Sequence, residues 1–567
     1  MTRPSLSRRA FLASAVSASL AGCNGVRYRD RYSPGTRVSL TVSAPPADDD
    51  QAATMIAREL ADRLSALGVD ASFEPKGQSQ LYLDALINND FDVFVGRHPG
   101  LDHPDALYSL LHSSFASEPG WQNPFGVTSV AIDDSLEAIR AADDPAAELD
   151  AFLDAYTERV PFAVVAEPEF LTARRRELSV EADALTARPI DVLQQLADVA
   201  LDRPLRAGIF SAEVTENRNP IAGEFRWNDQ LLGLLYDSLA RPARDSSSYL
   251  PWAAEDWYFD DELVVELRPD QQFHDGSPLT ADDVAFTVDF LSDTALGDAA
   301  SPVPATRFRG RTTLVSSVRA TDSTTVRFDL EPDVGPRTAE RVLTLPILPA
   351  AEWRDRTNLV KDRVTQALVW ENPNPVGSGP FAFDGATEDE SVRLRPFAEH
   401  FLADVDDDPV TRYAGALDSE GLVARYAPSG EDAIAALRDG RLDTSLHSFP
   451  LNAFGGITDD VVTSSGGSNG LYVVGYNLRR APLSDFRFRQ VLARLHDREH
   501  TVASVFGDVA NATDLPVIEK WGVDETTTDE HSVGPFPGWN GELDVERGRE
   551  LFESIGLTYD DEENLYR

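Results

Sequence analysis

Between Arg37 and Gly96 the hydrophobic period of the chain switches four times, and no other feature constrains the fold as much. Arg37-Val38-Ser39-Leu40-Thr41-Val42 alternates as a strand does, with successive side chains on opposite faces. In 51–67, Ile56, Leu60, Leu64 and Leu67 fall on one helical face, and Gly68 follows as the C-cap, where a left-handed residue is needed. Alternation returns at 69–73, residues 79–88 read as helical, and 91–96 forms a third strand. Consecutive parallel strands require a helical crossover, so this β-α-β-α-β order predicts an α/β lobe.

Downstream, the patterns predict helices at 134–142 and 145–159, a short buried strand at 162–166 between Pro161 and Pro168, a helix at 189–200 and a strand at 205–210. Asn228 is placed to cap a helix carrying Leu231, Leu234, Leu235 and Leu239. Strand-rich, proline-punctuated sequence follows from about 250 to 400, with a strand at 263–267. In 273–290, Asp275-Gly276 marks a tight turn. Thr280 and Asp283 stand at capping-box spacing before Val284, Val288 and Leu291, which share one face. The run SSGGSNG (464–470) reads as a surface turn before a strong strand at 471–476, and helices are expected at 485–506 and 544–555. A chain of 567 residues exceeds what one hydrophobic core serves, so two lobes are expected.

The charge balance is extreme, with 51 basic against 95 acidic residues and a net charge of −44. Lys76, Lys361 and Lys520 are the only lysines. Such a chain repels nucleic acid, and repels itself at low ionic strength. With 42% hydrophobic residues and eight tryptophans it is nonetheless a packed globular protein, and its composition resembles that of exported proteins of salt-loving archaea. Asp48-Asp49-Asp50 and Asp406-Asp407-Asp408 read as solvated surface.

At the start, Ser7-Arg8-Arg9-Ala10-Phe11-Leu12 resembles a twin-arginine export signal and Leu20-Ala21-Gly22-Cys23 a lipobox. The apolar run between them is shorter than the roughly 20 residues of a membrane-spanning helix. Residues 1–22 are therefore expected to be a cleaved signal, Cys23 the lipid attachment site and 23–36 a polar, basic linker. Localisation would be the outer face of the cell membrane. Cys23 is the only cysteine, which excludes an intramolecular disulfide or a cysteine metal site.

The segment PWAAEDWYFDDELVVELRPDQQFHDGSPLTADDVAFTVDFL (251–291) resembles the signature block of the family-5 solute-binding proteins, the extracellular receptors of peptide, nickel and related ABC importers. NPVGSGPFAF (374–383), ALRDGRLDTSL (436–446) and the block at 476–510 resemble three further family segments in the family's own order, and 219–242 resembles its opening. Pieces that the family carries after the 476–510 block stand here at the front, in 37–46, 52–75 and 91–111, and 159–175 resembles the family's closing segment. The resemblance therefore implies a bilobed, periplasmic-binding-protein-like α/β fold of the type II, large peptide-binding class, circularly permuted. One lobe would be discontinuous, 36–165 plus 471–567, and the other, 166–470, continuous, with crossings near 160–168 and 466–472. Arg37 and Leu565 would then be surface neighbours. An unrelated N-terminal domain and a fragment with a duplicated half are the competing readings.

By the same resemblance the chain is a monomeric receptor that captures an oligopeptide-like or other small solute in an interlobe cleft by hinge closure and presents it to ABC permease subunits. No cofactor is implied. In peptide-binding members an Asp in the loop after the strand equivalent to 91–95 captures the ligand's amino group. Asp102 is the match, although alignment on Pro104 places Gly100 at the usual position. The family's carboxylate-clamping Arg is replaced by Ala44-Pro45-Pro46. His98 joins the candidate rim. Pro99 and Gly100 separate it from His103, and with no third ligand in view these are loop residues and not a metal site. Trp121, Trp227 and Tyr236 are candidate aromatic walls, with core packing as the alternative role. No His-Glu-x-x-His or Gly-x-Ser-x-Gly is present, so an enzyme is the weakest reading. A non-transport surface lipoprotein, sensor or structural, is the alternative to the importer receptor.

Overall fold

The computed structural model describes residues 35–567 except 99–100, 179–186, 223–228, 244–247, 362, 407–408, 451–452, 454–458, 469, 508, 519–520 and 522–529. The twin-arginine, lipobox and linker readings, Trp227 and the Asn228 cap lie outside the described residues. The chain divides into two compact units. The first comprises the chain up to Ile139, Ala146–Pro168 and Gly470–Arg567, and the second Arg140–Pro145 and Glu169–Asn469. The short excursion at Arg140–Pro145 was not foreseen, and it is tied to the second unit by the Gly335 amide, which donates to the Arg140 carbonyl at 2.9 Å.

A seven-stranded sheet joins β1 (Ser39–Ala44), β2 (Asp70–Pro75), β3 (Val93–His98), β4 (Phe162–Arg175), β5 (Val461–Ser468), β6 (Leu471–Tyr476) and β7 (Ala510–Ala512), in the order β5-β4-β6-β3-β1-β2 with β7 beside β4. All of it belongs to the first unit except β5 and the Glu169–Arg175 half of β4. β1 lies parallel to β2 and β3. β6 runs antiparallel to both β3 and β4, with Leu471 opposite His98 and Tyr472 opposite Arg97. β4 continues past the unit boundary, and its Glu169–Arg175 half pairs with β5. The stretch expected to be a surface turn is thus a strand over most of its length. Helix α1 (Gln51–Ala66) provides the crossover from β1 to β2. It buries Ile56, Leu60 and Leu64 as the periodicity requires, and Gly68 takes φ = +81° just past its end. The core beneath holds Phe94, Phe125, Phe152, Tyr156 and Phe162, with Phe125 stacked on Phe162 at 4.9 Å.

The first and last described segments meet within this unit. The Gly35 amide donates to the Arg567 carbonyl at 2.8 Å and the Val38 amide to the Leu565 carbonyl at 2.9 Å, while the Leu565 amide donates to the Gly68 carbonyl at 2.8 Å. Arg37 forms an antiparallel bridge with Tyr566. Leu565 itself is buried.

The second unit has its own large core, from Leu178 to Leu446. A five-stranded sheet joins Phe381–Thr387, Ser391–Pro396, Leu422–Tyr426, Leu205–Ile209 and Thr444–Ser445, and a four-stranded antiparallel sheet includes Leu263–Leu267. Thr280 N and Oγ1 both donate to Asp283 Oδ2 at 3.0 Å, which starts the helix Ala281–Ser292 as the capping pattern predicts. Asp237, fully buried, accepts from Trp252 Nε1 at 2.6 Å and Arg241 Nη2 at 3.2 Å and faces His400 Nε2 at 3.1 Å. The Arg241 guanidinium also lies over the Trp252 ring at 4.1 Å.

Candidate functional site

In α/β sheets, ligands gather outside the carboxyl ends of the parallel strands, where loops and helix N-termini converge. In the first unit that edge is formed by Ala44, His98 and the segment Ala166–Glu167. The first residues of antiparallel β6, Leu471 and Tyr472, reach it from the opposite direction. The chain also leaves and re-enters the unit here, at Pro168 and Gly470.

Asp50 stands at this edge as the N-cap of α1. Its Oδ1 accepts from the Ala53 amide at 2.9 Å, satisfying a donor left over at the helix start. The Tyr472 hydroxyl donates to both carboxylate oxygens, at 3.0 and 3.2 Å. Burial raises the Asp50 carboxyl above its ordinary range, against the Ala53 amide, the Arg97 charge and the Tyr472 hydroxyl, which all favour the carboxylate. Burial, then the neighbouring Asp50, pushes the Tyr472 hydroxyl well up, so it stays protonated and donates. Asp50 was read from sequence as solvated surface. The overlooked signal was positional: it follows a strand and immediately precedes a periodic helical run, which is an N-cap address.

His98 ends β3 and is buried, with its ring meeting Trp121 edge to face at 4.8 Å. Trp121 also touches Tyr82 (6.1 Å) and Phe94 (6.3 Å). Asp102 is exposed in the loop beyond β3, and His103 Nδ1 accepts from the Asp105 amide at 3.1 Å, folding that loop back on itself. Among the described residues no group of three His, Cys, Asp or Glu side chains could hold a metal ion. Tyr236 lies in the core of the second unit, 3% exposed, and its hydroxyl accepts from Asn372 Nδ2 at 2.7 Å. It has a packing role there. The edge thus presents the exposed Asp102 carboxylate and a second carboxylate tied to a tyrosine, while Trp121 packs in the core with His98 against it. Such a set suits hydrogen bonding to a small polar solute through the exposed carboxylate.

The sequence profile described as bacterial extracellular solute-binding proteins, family 5, middle, matches residues 248–566. This chain belongs to that family. It is 24% identical to the di/tripeptide-binding protein 2 of Pseudomonas aeruginosa, over 59% of this chain and 60% of that protein. It is also 24% identical to the dipeptide-binding protein of Escherichia coli, over 52% and 55% respectively. A putative ABC transporter peptide-binding protein of Brucella ovis is 24% identical over 43% of this chain and 44% of its own length. The chain therefore spans about half the length of the curated relatives it matches. Among solved structures, NikZ from Campylobacter jejuni in complex with Ni(L-His) is 18% identical with a TM-score of 0.46, covering 65% of this chain and 66% of its own. AppA of Bacillus subtilis in complex with a nonapeptide is 16% identical with a TM-score of 0.43, covering 63% and 65%. Among the described residues no helix is long and apolar enough to cross a membrane.

Proposed function

We propose that this protein is the extracellular solute receptor of an ABC importer, capturing a peptide-like or other small solute and delivering it to permease subunits. The family match over 248–566 carries the reading. The grip is assigned to the carboxyl edge of the first unit, with Asp102 for a cationic or hydrogen-bond-donating group and the His98–Trp121 pair packed behind it. Trp227, in the second unit's span of the sequence and outside the described residues, is a further candidate. Binding free energy, and no covalent step, drives a hinge change at the chain crossings, because solute that favours one conformation shifts the population toward it. The absence of an Arg in Ala44-Pro45-Pro46 favours a solute without a free carboxylate at that point.

The chain order is read as a circular permutation of the family's. Two observations support it. The front strands β1–β3 and the rear strands β6 and β7 share one unit and one sheet, and Gly35 and Arg567 are hydrogen-bonded neighbours, as joined ends would be. Export through the Arg8-Arg9 signal, lipid attachment at Cys23 and a monomeric state complete the proposal. Native mass spectrometry of protein purified from its host in high salt tests the receptor reading. A co-purified small solute is expected, and its mass gives the substrate class. An empty protein that no peptide, sugar or metal chelate loads would point to the non-transport lipoprotein.

A further inference from the structure

Among the described residues of the first unit, Trp539 is the most exposed of the large hydrophobic side chains, ahead of Val130. Trp539 is 84% exposed. It is held rigidly in a two-residue hairpin: Gly538 and Trp539 pair with Leu543 and Glu542, and Asn540 and Gly541 take φ of +49° and +81°, as a tight primed turn demands. The hairpin is fastened to the unit. Gly541 N donates to Asp497 Oδ2 at 2.8 Å, Arg63 Nη2 donates to the Gly541 carbonyl at 3.1 Å, and the Arg63 guanidinium lies 4.5 Å from the Phe536 ring centre. Trp539 is therefore presented outward by a fixed support.

Its position is informative. Arg63 is in the last turn of α1, and Gly68, just past that helix, is bonded to Leu565, which in turn bonds Val38. The hairpin and the point where the chain enters the unit at Gly35 thus flank the same end of α1. Between Cys23 and Gly35 the chain reaches at most about 40 Å when fully extended. That stretch carries Arg27, Arg29 and Arg31 against the single Asp30, with Tyr28 and Tyr32 interleaved, in a chain of net charge −44. Its charge is opposite in sign to that of the chain as a whole. Basic residues next to a lipid anchor attract anionic headgroups, and Tyr and Trp favour the depth of the headgroups, where an apolar ring and a polar N–H or O–H are both satisfied.

We propose that Trp539 is a membrane-interface anchor, inserting at headgroup depth beside the Cys23 tether and fixing which end of the unit faces the bilayer. This rests on the lipid-anchor reading of Cys23. Glu542, Asp544 and Glu546 flank the hairpin and oppose approach to an anionic surface at low salt. At molar salt, where the Debye length is about 3 Å, both that opposition and the attraction of the basic stretch fade, so the contact there rests on the Trp539 ring.

The test exploits the single cysteine. The chain from Cys23 onward is coupled through its thiol to phosphatidylcholine vesicles containing maleimide-bearing phosphatidylethanolamine and brominated phosphatidylcholine. Bromolipid quenching of tryptophan emission is expected in high salt, and Trp539→Phe is expected to abolish it while leaving the denaturation curve unchanged. Quenching that is absent, or equal in W539F, would overturn the proposal and would assign the hairpin to a protein partner or to solvent. Because the coupling is chemical, this outcome is independent of natural lipidation. Lipidation is read separately from the intact mass of host-purified protein, so the two failures are distinguishable.

Discussion

His274 accepts the Gly377 amide proton through Nδ1 at 3.2 Å, and its Nε2 meets the Gly379 carbonyl at 2.9 Å. This pair of partners requires the neutral ring with hydrogen on Nε2. Burial accordingly lowers its pKa to about 4, a depression that the Gly379 bond only partly offsets. An unfolded histidine titrates near 6.5. The contribution to stability is therefore fully present above pH 6.5 and lost as pH falls toward about 4, with the unfolded chain binding the extra proton. In denaturant titrations across that window, His274→Gln is expected to flatten the pH slope by up to about 1.4 kcal/mol per pH unit; an unchanged slope would count against it. Asp237 is a second single-residue test. Burial raises its pKa, but His400, Arg241 and the Trp252 N–H together more than reverse the effect and favour the carboxylate. Asp237→Ala leaves the Arg241 charge buried without its partner, at a cost of about 3–5 kcal/mol in urea unfolding. A loss under about 1 kcal/mol would show that the cluster is not needed for stability. At this scale the sequence was a poor guide to tertiary roles. The pattern around His274 announces a turn and a cap, yet its partners Gly377 and Gly379 lie a hundred residues away. Asp50 resembled its surface neighbours until the fold placed Tyr472 beside it.

Elements were far more legible than contacts, because period and caps are local. The crossover helix α1, the glycine after it and the capping box at Thr280 and Asp283 follow from short-range pattern alone. Thr280→Ala is expected to cost about 1 kcal/mol through the lost cap, read as a shift in denaturation midpoint. Gly68 has a larger role than capping. Its φ is +81°, and a Cβ there would lie 2.1 Å from the Glu563 carbonyl oxygen. Gly68→Ala must therefore disturb the closing hairpin of Thr558–Tyr559 and Leu565–Tyr566 as well as the helix end. The expected result is a loss greater than the 1 kcal/mol of a simple cap, with amide exchange accelerated at Val38 and Leu565. Two elements were misread for identifiable reasons. The Gly/Ser-rich half of β5, Ser464–Ser468, lacks strand-forming side chains, and it is a strand because Glu169–Thr172 supplies its partners. β4 was expected to stop before Pro168, which cannot donate to a ladder. It continues because the pairing changes there, from β6 and β7 to β5.

For the whole molecule, the assignment of the front and rear segments to one half came from the resemblance, since nothing local in 37–96 points to 471–567. Periodicity gave the strands but not their order. Permutation predicts that the break between Gly35 and Arg567 is incidental. A chain in which Arg567 is linked to Gly35 and new ends are opened between Leu178 and Ala187 is expected to fold and to bind the same solute. Failure of that chain to fold, with its parent folded under the same conditions, would argue that the present order is required. The receptor account itself is tested most directly by thermal unfolding in high salt against a library of short peptides, sugars and nickel chelates. A true solute at 100 times its Kd adds about 2.7 kcal/mol to the folded state, so a saturable rise in Tm with one chemical class is the predicted result. A Tm that no member of the library moves, in protein shown by mass spectrometry to be empty, would contradict it.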